Sequence, residues 1–357
     1  MSDQLLSNQI FSIVGPTATG KSALAFQIAE EIIRQDKAAA VTIISADSRQ
    51  VYQGLEICSG ADVPETWNPV THFATSGYRH PEFPIYFFGT SVVAPTAEWS
   101  VTHFRHYALP IIAESFSQGC AVIIVGGTGL YHEHLFSTDP LLDVPPNENL
   151  RHAAALLTLD QLQEKVASEA PEAWAAMNDS DKYNPRRLVR ALEKAAASLS
   201  GDAVAKSTDF PTAAEFPLHL SHLNHVTVGV IDSPEHLQTK ILHRVNERLQ
   251  HGAVQEITTL IGKYDDPLWK LPAFSSTGCK EVRMYIDGRI DIDQLKQLWS
   301  RRELQYAKRQ LTWWKTHQFA SSSPHFAQKT KQWTDLSKDV QKSWQTAVTQ
   351  SCILGLC

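Results

Sequence analysis

What the chain lacks narrows the field first. Its 357 residues include five cysteines, Cys58, Cys120, Cys279, Cys352 and Cys357. They are odd in number, widely scattered and never in a C-x-x-C spacing, so neither a disulfide framework nor a zinc site is expected, and the thiols read as reduced. No apolar run approaches the roughly 20 residues that cross a bilayer, and the opening MSDQLLSNQ lacks the basic start and apolar block of a secretory signal. A cytoplasmic protein with no membrane association is expected. Positive charge is scarce too: 32 Lys and Arg against 38 Asp and Glu leave a net charge of −6, so any nucleic acid must be met by local basic patches. What is there, 43% apolar and 20% charged residues, suits a globular chain long enough for two domains or for one domain with a sizeable insertion.

The stretch QIFSIVGPTATGKS, residues 9–22, organises the rest. An apolar run breaks at Gly15, and Pro16, Thr17, Ala18 and Thr19 lead through Gly20, Lys21 and Ser22 into the helix-prone ALAFQIAEEII. Strand, glycine-bounded loop and helix form the setting that the phosphate-loop pattern G-x-x-x-x-G-K-[ST] requires. Backbone N–H groups of such a loop converge on a polyphosphate, the helix start adds a favourable field, and Lys21 and Ser22 supply a cation and a magnesium ligand.

Ala38 to Ser45 reads as a buried parallel strand ending in Ala46-Asp47-Ser48. In open α/β sheets ligands sit beyond the carboxyl ends of strands, which sets Asp47 near the loop; an acid there is either a helix cap or a functional group. Residues 64–98 have no clear period and read as an irregular connection around one short strand, Ile85 to Phe88. A helix follows from Ser100 to Ser117. Another buried strand, Cys120 to Val125, ends in Gly126-Gly127-Thr128. Phosphate-loop hydrolases place an Asp at such a strand tip to organise magnesium and water, so its absence counts against ATP hydrolysis.

From Pro140 to about Pro217 the composition changes to several helices without strands. Arg186, Arg187 and Arg190 share one side of a helix there, either a solvated face or a phosphate contact. Gly201 to Glu215 reads as a mobile loop. A last core strand, Val226 to Ile231, precedes a helix opened by Ser233-Pro234 that carries Arg244 and Arg248 one turn apart, as surface residues or as diphosphate ligands. The most basic stretch, Trp299 to Lys315, holds five Lys or Arg against one Glu, with Trp299, Tyr306 and Trp313 every seven residues. That stripe suits core packing or base stacking, and the flanking cations suit an RNA backbone.

Taken in order, GPTATGKSALA, ISADSRQVYQGLEI, VGGTGLY, NPRRLVRALE, LPAFSSTGCKE and ELQYAKRQLTWWK resemble the motifs of the tRNA dimethylallyltransferases. The resemblance spans about residues 9–318. It implies an α/β fold, a P-loop NTPase-like core with a parallel sheet plus a helical insertion domain. The division expected is 1–140 for the first part of the core, 141–217 for a tRNA-clamping helical insertion, 218–320 for the second part with its basic helix, and 321–357 for a tail without a recognisable motif. It implies transfer of a dimethylallyl group from dimethylallyl diphosphate to the exocyclic amine of the tRNA adenosine adjacent to the anticodon on its 3′ side, with Mg2+, by a monomer.

Carried onto this chain, Asp47 matches the general base and Thr128 the Thr of the GGT motif, with Gly15 to Ser22, Arg244 and Arg248 on the diphosphate and Ser22 on the metal. Contact with tRNA falls to Asp47, Ser48, Arg49, Gln50, Arg186, Arg187, Arg190, Ser275, Gly278, Lys280, Lys308, Arg309, Gln310, Thr312, Trp313 and Lys315. The chain departs from the family pattern at Cys58-Ser59-Gly60-Ala61, where a Lys is usual in the fourth place. It departs again at Ser275, where an Arg is usual, and at Cys279, where a Tyr is usual. No Cys/His module follows the basic helix, as in bacterial members. The competing readings are a prenyltransferase of free adenine nucleotides, which would need neither the Arg-rich insertion nor the K-R-Q-x-T-W helix, a small-molecule kinase, and a non-catalytic RNA-binding module.

Overall fold

A computed structural model of the chain describes residues 9–61, 63–137, 140–200, 224–264, 272–316 and 332–335. The loop expected at Gly201–Glu215, Leu271, and the tail from 321 apart from residues 332–335 lie outside them. The chain divides into two compact units, Met1–Ser137 with Phe216–Cys357, and Thr138–Glu215.

The first unit is built on one sheet. Its strands are β1 (Gln9–Val14), β2 (Val41–Ser45), β3 (Asn68–His72), β4 (Thr75–Arg79), β5 (Ile85–Phe88), β6 (Ala121–Gly126), β7 (Asn224–Ile231) and β8 (Gln332–Asp335), in the order β3-β4-β5-β2-β6-β1-β7-β8. From β5 to β8 every pairing is parallel, and β3 and β4 join the β5 edge by antiparallel pairing. The expected parallel sheet is therefore mixed at one edge. Residues 64–98, expected to hold one strand, hold three. The turn between β3 and β4 places Phe73 and Ala74 at φ 53° and 54°, the left-handed pair that a two-residue hairpin turn needs. Near the other end of the chain, β8 extends the sheet by pairing with β7.

β2 and β6 are buried at every residue and β1 at all but Gln9, which is why they read as nearly continuous apolar runs, interrupted by Ser12 and Thr42: helices cover a parallel sheet on both faces. Helix α1 (Lys21–Arg34) packs Leu24, Ala25, Ile28, Ala29 and Ile32 onto Phe11, Ile13, Ile43 and Ile123. Short α2 (Glu56–Ser59) follows β2, and α3 (Val101–Ser117) and α4 (Gly129–Leu135) flank β6. A capping box between Ser100 and His103 opens α3. Beneath the loop, the buried Ser12 hydroxyl of β1 lies 3.2 Å from His132 Nδ1 and 2.7 Å from His225 Nε2. Burial drives both imidazoles down to about 3, so they are neutral hydrogen-bonding groups at pH 7.

The second unit contains α5 (Glu148–Ala155), α6 (Leu159–Glu169), α7 (Pro171–Ala176), α8 (Asp179–Lys182) and α9 (Pro185–Ser200). Leu162, Val166, Leu188 and Leu192 form its separate core, and Asn147 and Thr158 cap α5 and α6 through their side chains. The first unit continues with α10 (Pro234–Gln250), α11 (Ala253–Tyr264), α12 (Cys279–Ile286) and α13 (Ile292–Thr316). Among the described residues no helix is long and apolar enough to cross a membrane.

Candidate active site

The loop between β1 and α1 lies in the parallel part of the sheet, where β1 runs between β6 and β7 and connections leave in both directions. Ala18 at φ 62° and Gly20 at φ 81° curl its backbone, a left-handed geometry that turns successive N–H groups to one side. Lys21 folds back over the loop, its Nζ donating to the Pro16 carbonyl at 2.5 Å, and the Thr19 hydroxyl donates to the same oxygen at 2.9 Å. The Thr17 amide donates to Gln310 Oε1 at 2.7 Å.

A cavity of about 910 Å³ opens from this loop. Thr17, Lys21, Ser22, Asp47, Arg244 and Arg248 are among its polar lining, and Phe26, Ile57, Val63 and Pro64 contribute apolar surface. Lys21 and Asp47 thus face one chamber from the ends of neighbouring elements. Arg244 donates to the Thr17 hydroxyl and to the Gly60 carbonyl, each at 3.2 Å. Gln50 reaches the same Gly60 carbonyl at 2.7 Å and accepts from the Ser45 hydroxyl at 2.9 Å, so it ties the strand end to the rim of the cavity. Arg248 is buried and paired with Glu303, which neutralises much of its charge.

Asp47, at the tip of β2, accepts the Arg49 amide on Oδ1 at 2.9 Å. Beside it the Thr128 hydroxyl accepts the Ser48 amide at 3.2 Å. The phenol of Tyr306 hydrogen-bonds to Thr128; burial raises its pKa well above the usual range, and the negative charge of Asp47 adds to the rise. Tyr131 is raised by the same two causes in the same order. Two neutral phenols therefore lie within reach of the carboxylate's charge. Arg49 itself extends away to the Pro272 carbonyl and the Ser275 hydroxyl, at 2.9 and 2.6 Å.

Helix α13 has two faces. Trp299, Glu303, Ala307, Gln310 and Trp314 are buried, whereas Lys308, Arg309, Thr312 and Lys315 are exposed. Trp299 belongs to the core, which settles the aromatic stripe there in favour of packing, while Trp313 is half-buried over Gly129. Two residues expected on the RNA side sit inside instead: Gln310 against the phosphate loop, and Gly278 beneath the Trp299 ring. Lys280 and Ser275 are exposed. In the second unit Arg187 pairs with Asp181. Arg190 reaches Glu193 at 3.0 Å and the Leu142 carbonyl at 3.2 Å, while Arg186 is exposed. Burial favours a protonated Glu193, but the Asn147 amide and the two guanidiniums of Arg190 and Arg151 outweigh it and hold the carboxyl below its usual range.

Several site residues carry no motif of their own. Glu256 on α11 accepts the amides of Ile57 and Cys58 at 2.8 and 2.7 Å and so anchors α2 at the cavity rim; only its tertiary position reveals this. Gln310 was legible as part of a motif and not in its direction. Among the described residues no group of three or more His, Cys, Asp or Glu could hold a metal.

A family described as IPP transferase matches residues 50–317, and one described as isopentenyl transferase matches residues 8–72. The chain belongs to the IPP transferase family. Curated relatives in it include the tRNA dimethylallyltransferase of Geobacter sulfurreducens, 30% identical over 306 residues that cover 85% of this chain and 88% of the relative. That of Halalkalibacterium halodurans is 27% identical over 314 residues, covering 87% and 89%. Among solved structures, the full-length tRNA isopentenylpyrophosphate transferase of Bacillus halodurans superposes with a TM-score of 0.59 at 24% identity, covering 97% of each chain. A eukaryotic dimethylallyltransferase described as acting on tRNA gives 0.68 at 19% identity, covering 96% of this chain and 78% of its own. These IPP transferase likenesses establish the fold as a P-loop NTPase-like core.

Proposed function

We propose that this protein transfers the dimethylallyl group of dimethylallyl diphosphate to the exocyclic amine of the adenosine on the 3′ side of the anticodon in tRNA. The observation that carries the reading is the shared chamber: the phosphate loop with Lys21 and the carboxylate of Asp47 line one cavity. The diphosphate lies along the loop, with Arg244 at its rim. The adenine amine attacks the allylic carbon as the carbon–oxygen bond breaks, the diphosphate leaves with the bonding electrons, and Asp47 takes the proton from nitrogen. A positioned base of this kind contributes about 10²–10⁴-fold. Lys21 neutralises charge that grows on the leaving oxygens, an electrostatic contribution made where the transition state needs it. Thr128, held by Ser48 and Tyr306, orients the reacting centre.

A magnesium ion fits this donor set, because such an ion needs only one or two protein oxygens when substrate phosphates supply the rest, and the Ser22 hydroxyl lines the cavity beside Lys21. When bound it supplies charge neutralisation to the diphosphate. The exposed residues Lys308, Arg309, Thr312 and Lys315 of α13, together with Lys280 and Ser275, offer a tRNA surface, and the second unit, through Arg186 and its neighbours, clamps the anticodon stem. Drawing the adenosine from the loop costs a few kcal/mol, least for a base already unpaired. Unmodified tRNA incubated with the protein, magnesium and dimethylallyl diphosphate, then digested to nucleosides, is expected to yield isopentenyladenosine by mass analysis. A digest without it refutes the proposal; label passing instead from ATP to a small molecule would favour the kinase reading.

A further inference from the structure

The phosphate loop is not open along its whole length. Gln310 leaves the inner face of α13 with only 5% exposure and takes the Thr17 amide on its Oε1 at 2.7 Å. An N–H needs an acceptor, so the carboxamide has one orientation, Oε1 on the Thr17 amide, which leaves Nε2 packed against Gly127 without an acceptor among the described residues. At Gly127 the Nε2 atom fills the space that a β-carbon would occupy, so the side chain is wedged between the two loops that end β1 and β6. The hydroxyl of Thr17 is engaged as well, by Arg244 at 3.2 Å.

Lys21 gives the direction of the loop. The lysine of a phosphate loop reaches toward the outermost phosphates, and here its Nζ lies against Pro16, next to Thr17. The first amides of α1, which have no intrahelical acceptor, serve the phosphates nearer the helix. The Thr17 end is where a third phosphate would arrive. There the amide is already committed, and the lone pairs of a carbonyl oxygen stand beside it. We propose that Gln310 is a specificity-determining residue that restricts the loop to a diphosphate by occupying, from α13, the amide that a third phosphate would need. This rests on the reading of the loop as a diphosphate site.

The test compares inorganic diphosphate with inorganic tripolyphosphate, each with magnesium, by calorimetric titration of the full chain. The wild-type protein is expected to prefer diphosphate. Gln310→Met, similar in length but without an acceptor, is expected to shift the ratio of the two affinities toward tripolyphosphate by at least about tenfold, the scale of one hydrogen bond to a charged group. Gln310→Glu, which keeps an acceptor oxygen, retains the preference. Gly127→Ala, which displaces the carboxamide from its other side, reproduces the shift of the methionine variant and serves if that variant does not fold. General loosening of the loop would weaken both ligands and leave the ratio unmoved. A wild-type protein that binds diphosphate with a ratio unaltered by Gln310→Met and Gly127→Ala overturns the role of Gln310 alone. A wild-type protein that binds neither ligand overturns the diphosphate site and this inference with it.

Discussion

Arg248 Nη1 lies 2.7 Å from Glu303 Oε1, and both side chains are 7% exposed, so α10 and α13 are joined by a buried ion pair behind the phosphate loop. Thr277 donates to the same carboxylate at 2.7 Å. Burial alone would raise the Glu303 carboxyl; Arg248, Thr277 and Arg244 more than offset this and hold it below its usual range. The pair fixes the helix on which Arg244 rides one turn earlier. Removing one partner strands a buried charge, so Glu303→Ala is expected to cost about 3–5 kcal/mol in urea denaturation. Arg248→Met with Glu303→Leu, which removes both charges, should recover most of that loss. An exposed or idle pair would give less than about 1 kcal/mol in the single variant.

Among the described residues Asp47 accepts a backbone amide in its own turn and forms no ion pair, and it lines the cavity, so replacing its carboxylate removes the base without removing a structural pair. Asp47→Asn is expected to lower the transfer rate by at least about 10²-fold while the dissociation constant for tRNA stays within a factor of three or so. Single-turnover assays and filter binding read the two quantities separately. A parallel loss of RNA affinity would mean that the acid holds the RNA or the fold.

Tyr306 bears on the reaction through Thr128. With its hydroxyl removed, Thr128 loses a partner in a buried site, and the cost falls on orientation, not on binding of the diphosphate. Tyr306→Phe is expected to reduce kcat by about tenfold, one hydrogen bond's worth, with KM for dimethylallyl diphosphate unchanged. A rise in KM at constant kcat would place the phenol in the binding step.

The core of this fold was legible because β1, β2 and β6 are largely apolar runs, each ended by glycine or a small polar residue, and because the phosphate loop carries its own signature. The β3–β4 hairpin was not. Its turn is built on Phe73 and Ala74 in left-handed conformations that normally advertise themselves as Asn or Gly, and β3 is an edge strand with little buried surface to impose an alternating pattern. Short β8 exists only by pairing with β7. The family resemblance assigns Gln310 to tRNA along with the rest of Lys308 to Lys315, whereas it lies against the phosphate loop. The spacing of Trp299, Glu303, Ala307, Gln310 and Trp314 by 4, 4, 3 and 4 places it on the inner face, a helical phase that the aromatic residues alone had set one position off. The polar members of that series, Glu303 and Gln310, are buried, and an apolar pattern search does not see them. Arg187 and Arg190 looked like a free basic face since their acidic partners, Asp181 and Glu193, are supplied by a preceding turn and by the next turn of α9.

Glu256 sets a pH dependence on the cavity rim. Burial raises its carboxyl, the Ile57 and Cys58 amides lower it in part, and the nearby Glu56 adds to the rise, leaving it at about 7 against an ordinary 4.5. A pKa higher in the folded than in the unfolded chain contributes stability that is fully present below about pH 4.5 and is lost as pH rises through about 7. The loss is on the order of 3 kcal/mol between those limits, set against whatever other groups contribute. Glu256→Gln, which cannot ionise, is expected to flatten this segment of the stability–pH curve in denaturant titrations at pH 5, 6, 7 and 8 or thereabouts. Identical slopes in the two proteins would show that the group is already ionised at pH 5 and that the two amide hydrogen bonds outweigh its burial.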